Sequence, residues 1–342
     1  MKRQLWFFSR FAVYLVINFL WPIVLLPFCK LAKWCGRPFF QFVFLVYPGT
    51  LDQVRGYAPL WYRSFAPLIS IIGLARGKYP GLIVTIPWPL EELEEKHRIY
   101  KNNCLESIVR KVKKLADDIG AKAAVLAGRL PRLLLKNGSS QLPSPIVVGD
   151  MGAVYTIMTT TRLVARTKLP HLQIGVVGGY GFLGLRVVAA LQKSSARVIV
   201  VDPNIELEEG GGEIRFTRDP AELASCDLVI ILTARGEQAE TVIKHIRPGT
   251  TIIDDTHPQL PHRVIVALEK KGCRVVKAIL TLEGEWFWPR LPKWESDWLP
   301  GCCIEAIVVA ANGTPIDNQR DFETVANQIG FRPRAVSNKS EL

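Results

Sequence analysis

The stretch that decides the fold is Leu172–Gln192, LQIGVVGGYGFLGLRVVAALQ. Its opening, LQIGVV, is an apolar run of the length expected for a strand buried on both faces. Glycines follow at Gly179, Gly181 and Gly184 in the spacing G-x-G-x-x-G, and Gly178 adds a second register, G-x-x-G-x-x-G. LRVVAALQ then carries apolar residues at helical spacing. A strand, a glycine turn and a helix in this order make a phosphate cradle. One glycine permits the tight turn, another lets the backbone approach a pyrophosphate, and Gly184 permits close contact between helix and strand. The unpaired N–H groups of the helix N-terminus face the anion.

The next apolar run, Arg197–Val201, ends in Asp202, 18 residues beyond Gly184. A carboxylate there accepts the hydroxyls of an adenosine ribose. The segment therefore predicts a Rossmann domain beginning near His171. The expected dinucleotide contacts are Gly178, Gly179, Tyr180, Gly181, Phe182, Leu183, Gly184 and Asp202. The Asp202 carboxylate would repel a 2′-phosphate, so NAD(H) is favoured over NADP(H). Arg215 or Arg218 would reverse this by reaching the phosphate.

Downstream, α/β units repeat. Asp227–Leu232 is an apolar strand ending at Thr233-Ala234, and Thr251–Asp254 is another, with Asp255-Thr256-His257-Pro258 just beyond it. Loops at the carboxyl ends of parallel strands form the cofactor crevice. Thr233, Ala234 and Thr256 are thus expected on the nicotinamide side. His257 is either a catalytic acid or base or a loop hydrogen-bonder.

Upstream, Val43–Val46, Leu82–Ile86 and Ala123–Ala127 read as short strands, and Ile146–Val148 leads into Gly149-Asp150-Met151-Gly152. Glu91–Ile119 is helical, with a break near Asn102-Asn103. Arg110, Lys111, Lys113 and Lys114 lie off its apolar stripe and form either a solvated face or a dock for an acidic partner. The chain of 342 residues, 49% hydrophobic, is too large for one small domain. The expected class is α/β: a Rossmann domain over 171–282 preceded by a smaller α/β domain over 41–149. A connecting helix over 150–170, a substrate loop and helix over 283–330 and a tail over 331–342 complete the order.

The N-terminal forty residues stand apart. Phe11–Phe28, FAVYLVINFLWPIVLLPF, carries no charge, and Asn18 is its one strongly polar side chain. The length just suffices to cross a bilayer, but Pro22 and Pro27 oppose one straight spanning helix. Of the formal net charge of +12, half comes from Lys2, Arg3, Arg10, Lys30, Lys33 and Arg37, and the first acid is Asp52. Three readings stay open: an anchor lying on an anionic membrane surface at its cytoplasmic side, a single span, or an arm packed on the body or on a second copy in a cytoplasmic homo-oligomer. The remaining charge shows no nucleic-acid stripe. Seven scattered cysteines without a CxxC pair suggest free thiols in a reducing compartment and no metal.

Two of those thiols are adjacent, in Leu299-Pro300-Gly301-Cys302-Cys303-Ile304-Glu305-Ala306. Pro300-Gly301 marks a helix start, and a thiol in the first turn is favoured as thiolate by the unpaired N–H groups. Adjacent helical residues point apart, so at most one is a nucleophile. Two core-filling thiols are the plainer reading.

Several blocks together resemble the long-chain acyl-[acyl-carrier-protein] reductases, which form aldehydes. They are Cys104–Gly128, Gly149–Leu163 (GDMGAVYTIMTTTRL), GGYGFLG, IIDDTHPQLP and CCIEA, in compatible order over most of 41–311. The chain is also similar, more distantly, to the Rossmann domains of glutamyl-tRNA reductase and shikimate dehydrogenase. The reductase resemblance implies an acyl group held on Cys302, the cysteine of C-x-x-E-A, with Glu305 orienting the site. It further implies NADP(H) as an alternative cofactor and an acyl carrier protein or acyl-CoA as partner. The greasy N-terminus and Asp202 depart from that family's pattern. Two other functions remain: a dehydrogenase of a lipidic alcohol or carbonyl without a covalent step, and a membrane-attached dinucleotide sensor.

Overall fold

The structure, a computed structural model, describes all residues except 1, 56–57, 100–102, 136–141, 195, 207–211, 291–293, 335 and 338–342. The polar stretch Leu135–Pro145 reads in sequence as a loop and falls partly outside the described residues. The chain folds as two units: Met1–Met151 with Leu282–Phe331, and Gly152–Thr281 with Arg332–Leu342.

The first unit opens with helix α1 (Lys2–Leu20), a π-turn over Trp21–Leu25 and helix α2 (Leu26–Trp34). Pro22 and Pro27 lack the N–H that an α-helix needs, and the helix widens around them, with the Leu26 N–H reaching back to the Trp21 carbonyl. Then come strand β1 (Phe42–Val46), helix α3 (Leu51–Arg55), a 3₁₀ turn (Leu60–Ser64), and strands β2 (Ser70–Arg76) and β3 (Gly81–Thr85). Helices α4 (Leu90–Ile99) and α5 (Asn103–Ile119) lie either side of the expected break. Strand β4 (Ala123–Leu126), helix α6 (Leu130–Leu135) and the short β5 (Ile146–Val147) lead into helix α7 (Asp150–Ala165).

The second unit continues through β6 (Gln173–Val177), α8 (Phe182–Gln192), β7 (Arg197–Val201), β8 (Ile214–Thr217) and β9 (Leu228–Ile231). It goes on through α9 (Glu240–Ile243), β10 (Thr251–Asp254), α10 (His262–Lys270), β11 (Arg274–Lys277) and β12 (Leu280–Thr281). The chain then returns to the first unit with β13 (Trp286–Trp288), α11 (Gly301–Asn312) and α12 (Gln319–Ile329). It finishes in the second with β14 (Arg332–Pro333) and β15 (Val336–Ser337).

In the first sheet the strand order is β13-β2-β3-β1-β4-β5. The run from β3 to β5 is parallel, and β2 and β13 are added antiparallel. Side chains alternate across it. Val43, Leu45, Ala124 and Leu126 pack with Leu105, Ile108 and Val112 of α5. The opposite face, with Phe44 and Val125 buried, is covered by α11, which lies on β1 and β4. That need explains a difference from the expected layout. Residues 283–330 do not stand as a separate substrate segment, because without α11 one face of this sheet would be bare.

The second sheet is ordered β15-β11-β10-β9-β6-β7-β8 and is parallel from β8 through β11. Counted along the chain, its six parallel strands run 3-2-1-4-5-6, the doubly wound Rossmann order. Ile174, Val176, Val198 and Val200 pack on one face with α7 and α8, and Val177, Val201, Val229 and Ile252 on the other with α9 and α10. The expected connecting helix is therefore largely part of this core, with Val154, Ile157 and Met158 buried in it. Of the expected tail, β14 pairs with β12 and β15 with β11, so it closes a sheet edge.

Candidate active site

The glycine turn of the second unit is built as its sequence requires. Gly178 has φ +77°, in the left-handed region. A Cβ on Gly184 would lie 2.6 Å from the Gly178 carbonyl oxygen and the Gly179 backbone, so α8 seats directly on the turn. Gly181 is the N-cap of α8 and contributes no side chain, leaving first-turn N–H groups of that helix to an anion. Tyr180 and Phe182 flank the turn and keep exposed rings, while Leu183 packs on the core.

Asp202, at the carboxyl end of β7, is buried. Its Oδ1 accepts the Asn204 N–H and side-chain amide at 2.9 Å each, and its Oδ2 accepts the Tyr180 N–H at 3.3 Å. A carboxylate has about four acceptor sites, so capacity remains for a ribose hydroxyl. Arg215 pairs with Glu222 at 2.8 Å, and Arg218 donates to the carbonyls of Ile205 and Glu206. Neither arginine is aimed by these bonds at a 2′-phosphate. The residues fit NAD(H).

At the far side of the same sheet, Thr233 Oγ1 donates to the Arg235 carbonyl at 2.8 Å, and Ala234 is half-buried beside it. Gly236 N–H donates to the Pro258 carbonyl, tying this loop to the one after β10. Thr256 is buried and bonded through both its N–H and its hydroxyl to Asp254 Oδ1. That makes it a brace of the loop. His257 is half-buried in the same loop.

Here lies a cluster the sequence reading passed over. Asp254 and Lys277 are register partners on β10 and β11, and both are buried; Asp255 follows Asp254. Burial pushes the Asp254 carboxyl up, against its hydrogen bonds to Thr256 and Leu260. Burial and the adjacent Asp254 push the Asp255 carboxyl up to about 8, against the Lys277 charge. At neutral pH the Asp255 carboxyl therefore keeps its proton. The signal for the cluster was present: charged residues closing the apolar runs TIID and RVVK.

In the first unit, α11 starts at Gly301 after the N-cap Pro300, which places Cys302 in its first turn. Cys302 is half-buried, whereas Cys303 is fully buried. Burial raises the Cys303 thiol well above its ordinary value, with Cys302 and Glu285 adding to the rise. Of the pair, Cys303 is thus an inert core thiol, and Cys302 is the one open to reagents.

Glu305, one turn further along α11, is buried, and its Oε1 accepts the Gly149 N–H at 3.0 Å. Gly149 has φ +86°, and a Cβ there would stand 2.7 Å from the Cys302 Cβ. GDMG and CCIEA, some 150 residues apart in sequence, therefore meet around the thiol. Glu305 positions this junction.

Tyr47 lies just beyond β1. It is buried, its Oη accepts the Arg129 N–H at 3.2 Å, and it lies within electrostatic range of Cys302. Burial pushes its phenol up to about 12, opposed by the Arg129 N–H and charge. It stays a donor at neutral pH. Arg129 in turn pairs with Glu94 at 2.8 Å. Cys302 and Glu305 thus share one helix, while His257 belongs to the other unit.

No family model matches the chain, and no curated protein matches it. Among solved structures it is similar to D-lactate dehydrogenase with NAD+ from Lactobacillus jensenii, at 15% identity over 88% of this chain and 100% of that one, with a TM-score of 0.36. It is similar to the hetero-hexameric glutamate dehydrogenase of Thermus thermophilus, at 14% identity over 84% and 73% of the two chains, TM-score 0.42. It is also similar to the dipicolinate synthase A chain of Bacillus subtilis, at 17% identity over 45% and 56%, TM-score 0.30.

Proposed function

We propose that the protein is an NAD(H)-dependent oxidoreductase that reduces a long-chain acyl thioester to an aldehyde through a thioester on Cys302. The observation that carries this is the division of labour between two adjacent thiols: Cys303 is sealed in the core, while Cys302 stays accessible in a helix first turn against Gly149. The Cys302 thiolate attacks the acyl carbonyl, the bond to the carrier sulfur breaks, and the carrier leaves as a thiol after taking a proton. The reduced nicotinamide, when bound, supplies a hydride to the acyl carbon. Protonation of the carbonyl oxygen gives a hemithioacetal on Cys302. The hemithioacetal hydroxyl then gives up its proton as the C–S bond breaks, releasing aldehyde and the Cys302 thiolate. Glu305 holds the Gly149 loop against the thiol, and Tyr47, within electrostatic range of Cys302, is a phenolic donor in that unit.

The substrate carrier in this reading is acyl-CoA or an acyl carrier protein. All seven cysteines are free, which suits the cytoplasmic side of a membrane. The test is turnover of palmitoyl-CoA with NADH or NADPH by wild type and Cys302→Ala. Aldehyde from wild type alone, with NADH the better donor, supports the proposal. Equal aldehyde from both proteins contradicts it. That second outcome would favour noncovalent hydride transfer to a lipidic carbonyl, for which the Asp254–Asp255–Lys277 cluster offers a proton donor without any thiol.

A further inference from the structure

The N-terminal helix has two faces with opposite fates. On one, Ile17, Trp21 and Leu26 pack against the first unit's core, and Cys29 is buried in it. Asn18 is the polar residue that interrupts the apolar run. Its amide donates to the Ile71 carbonyl at 2.8 Å, and its Oδ1 accepts the Ile71 N–H at 2.9 Å. It thereby replaces a neighbouring strand beside the bulge in β2. Further along, Lys30 pairs with Asp118 at 3.3 Å, and Lys33 donates to the Asp117 carbonyl, so α2 is fastened to α5. A helix fastened to a folded domain along both halves cannot be ringed by lipid.

The other face is apolar and bare: Phe19 is 69% exposed, Ile23 62%, Phe28 59% and Trp34 84%. It does not stand alone. The 3₁₀ turn after α3 adds Trp61 at 65% and Phe65 at 78%. A groove of about 640 Å³ joins the two elements, lined by Leu15, Val16, Phe19, Tyr62, Phe65 and Pro67 among others.

We infer that this two-element surface docks the protein in the plane of one leaflet of an anionic phospholipid bilayer, with a lipid chain entering the groove. Three features select a bilayer as occupant. The surface is large and apolar, with tryptophans at both elements, which suits an interfacial depth. The first forty residues carry six cations and no acid, and with Lys30 and Lys33 engaged on α5 the segment still keeps a positive excess for anionic headgroups. The inner face, bonded to β2 through Asn18 and to α5 through Lys30, suits a helix lying in the interface. The inference stands apart from the reading of Cys302, since docking requires neither cofactor nor turnover.

The experiment is flotation of the full chain with vesicles of neutral or mixed neutral and anionic phospholipid. Wild type is compared with Trp61→Glu/Phe65→Glu and with Trp61→Phe/Phe65→Leu, with circular dichroism as the check on folding. Wild type should float, and more with anionic lipid. The double Glu variant should lose about tenfold or more of its binding, while the apolar pair retains it. Undiminished flotation of the double Glu variant would overturn the inference, because the helix would then insert alone, as a span does. A lipid-free dimer of wild type that ignores vesicles would overturn it by showing that a second copy covers the face. Loss of binding in the apolar pair would do so too, because partition into lipid tolerates that exchange.

Discussion

The glycine turn and the cysteine turn are both helix N-termini at the end of a parallel sheet, yet they are built in opposite ways. The first is local: β6, the turn and α8 lie within twenty residues, and Asp202 follows directly. The second is assembled from afar. Around Cys302 stand Gly149 from the loop after β5, Glu305, which holds that loop, and Tyr47 from the end of β1. The difference teaches that an anion cradle is made by backbone geometry, which a short motif specifies. A nucleophile's surroundings are made by packing, which it does not.

The largest effect should separate the two turns chemically. Cys302→Ala is expected to cut aldehyde formation by about 10³-fold or more while NADH affinity is unchanged. Cys303→Ala should leave turnover within a few-fold and show its cost as lost stability of about 1–2 kcal/mol from a core cavity. Steady-state rates and fluorescence titration of NADH check both. Equal losses in the two variants would erase the distinction drawn between the thiols.

Next in size, Asp202→Ala should weaken NADH by about 10- to 100-fold, the worth of charge-assisted hydrogen bonds, and should narrow the preference over NADPH. Acylation of Cys302 should be untouched. An unchanged NADH affinity would remove Asp202 from the ribose site.

Glu305→Ala should cost about 1–3 kcal/mol of stability, because it leaves the buried Gly149 N–H without its acceptor. Glu305→Gln keeps an acceptor and should recover much of that loss in denaturant melts. If the Gln variant is as unstable as the Ala variant, the carboxylate charge matters beyond this bond.

A further effect is in pH. The Asp255 carboxyl, ordinarily at 3.8, stands at about 8 in the folded protein. A raised acid binds its proton more tightly when folded, so its stabilising contribution is full below about pH 4 and is lost as pH rises through 8. Wild-type Tm should therefore fall over that window relative to Asp255→Asn. Parallel curves would place Asp255 in an ordinary solvated setting.

Legibility followed the same divide. The Rossmann half could be read because apolar runs, glycines and Asp202 are close in sequence, and the strand positions of the first half could be read from apolar runs such as Val43–Val46. Strand β2 was missed because its bulge between Ile71 and Gly73 breaks the alternation. The Asp254–Lys277 pairing was missed because it depends on the register between β10 and β11. Trp61 and Phe65 gave no signal either, since single aromatics in a short turn look like any loop until they are seen beside α1. The helix of CCIEA was readable from Pro300-Gly301, but its role in covering the first sheet was not, since that depends on a chain return across 130 residues.

The most direct test of the central claim uses no steady-state assay. Wild-type protein is incubated anaerobically with palmitoyl-CoA in the absence of dinucleotide, and its intact mass and peptide map are recorded before and after NADH is added. The account predicts one palmitoyl group on Cys302 that disappears on NADH addition with an equal amount of aldehyde. No adduct on Cys302, or an adduct that NADH leaves in place in protein shown to bind NADH, would contradict it.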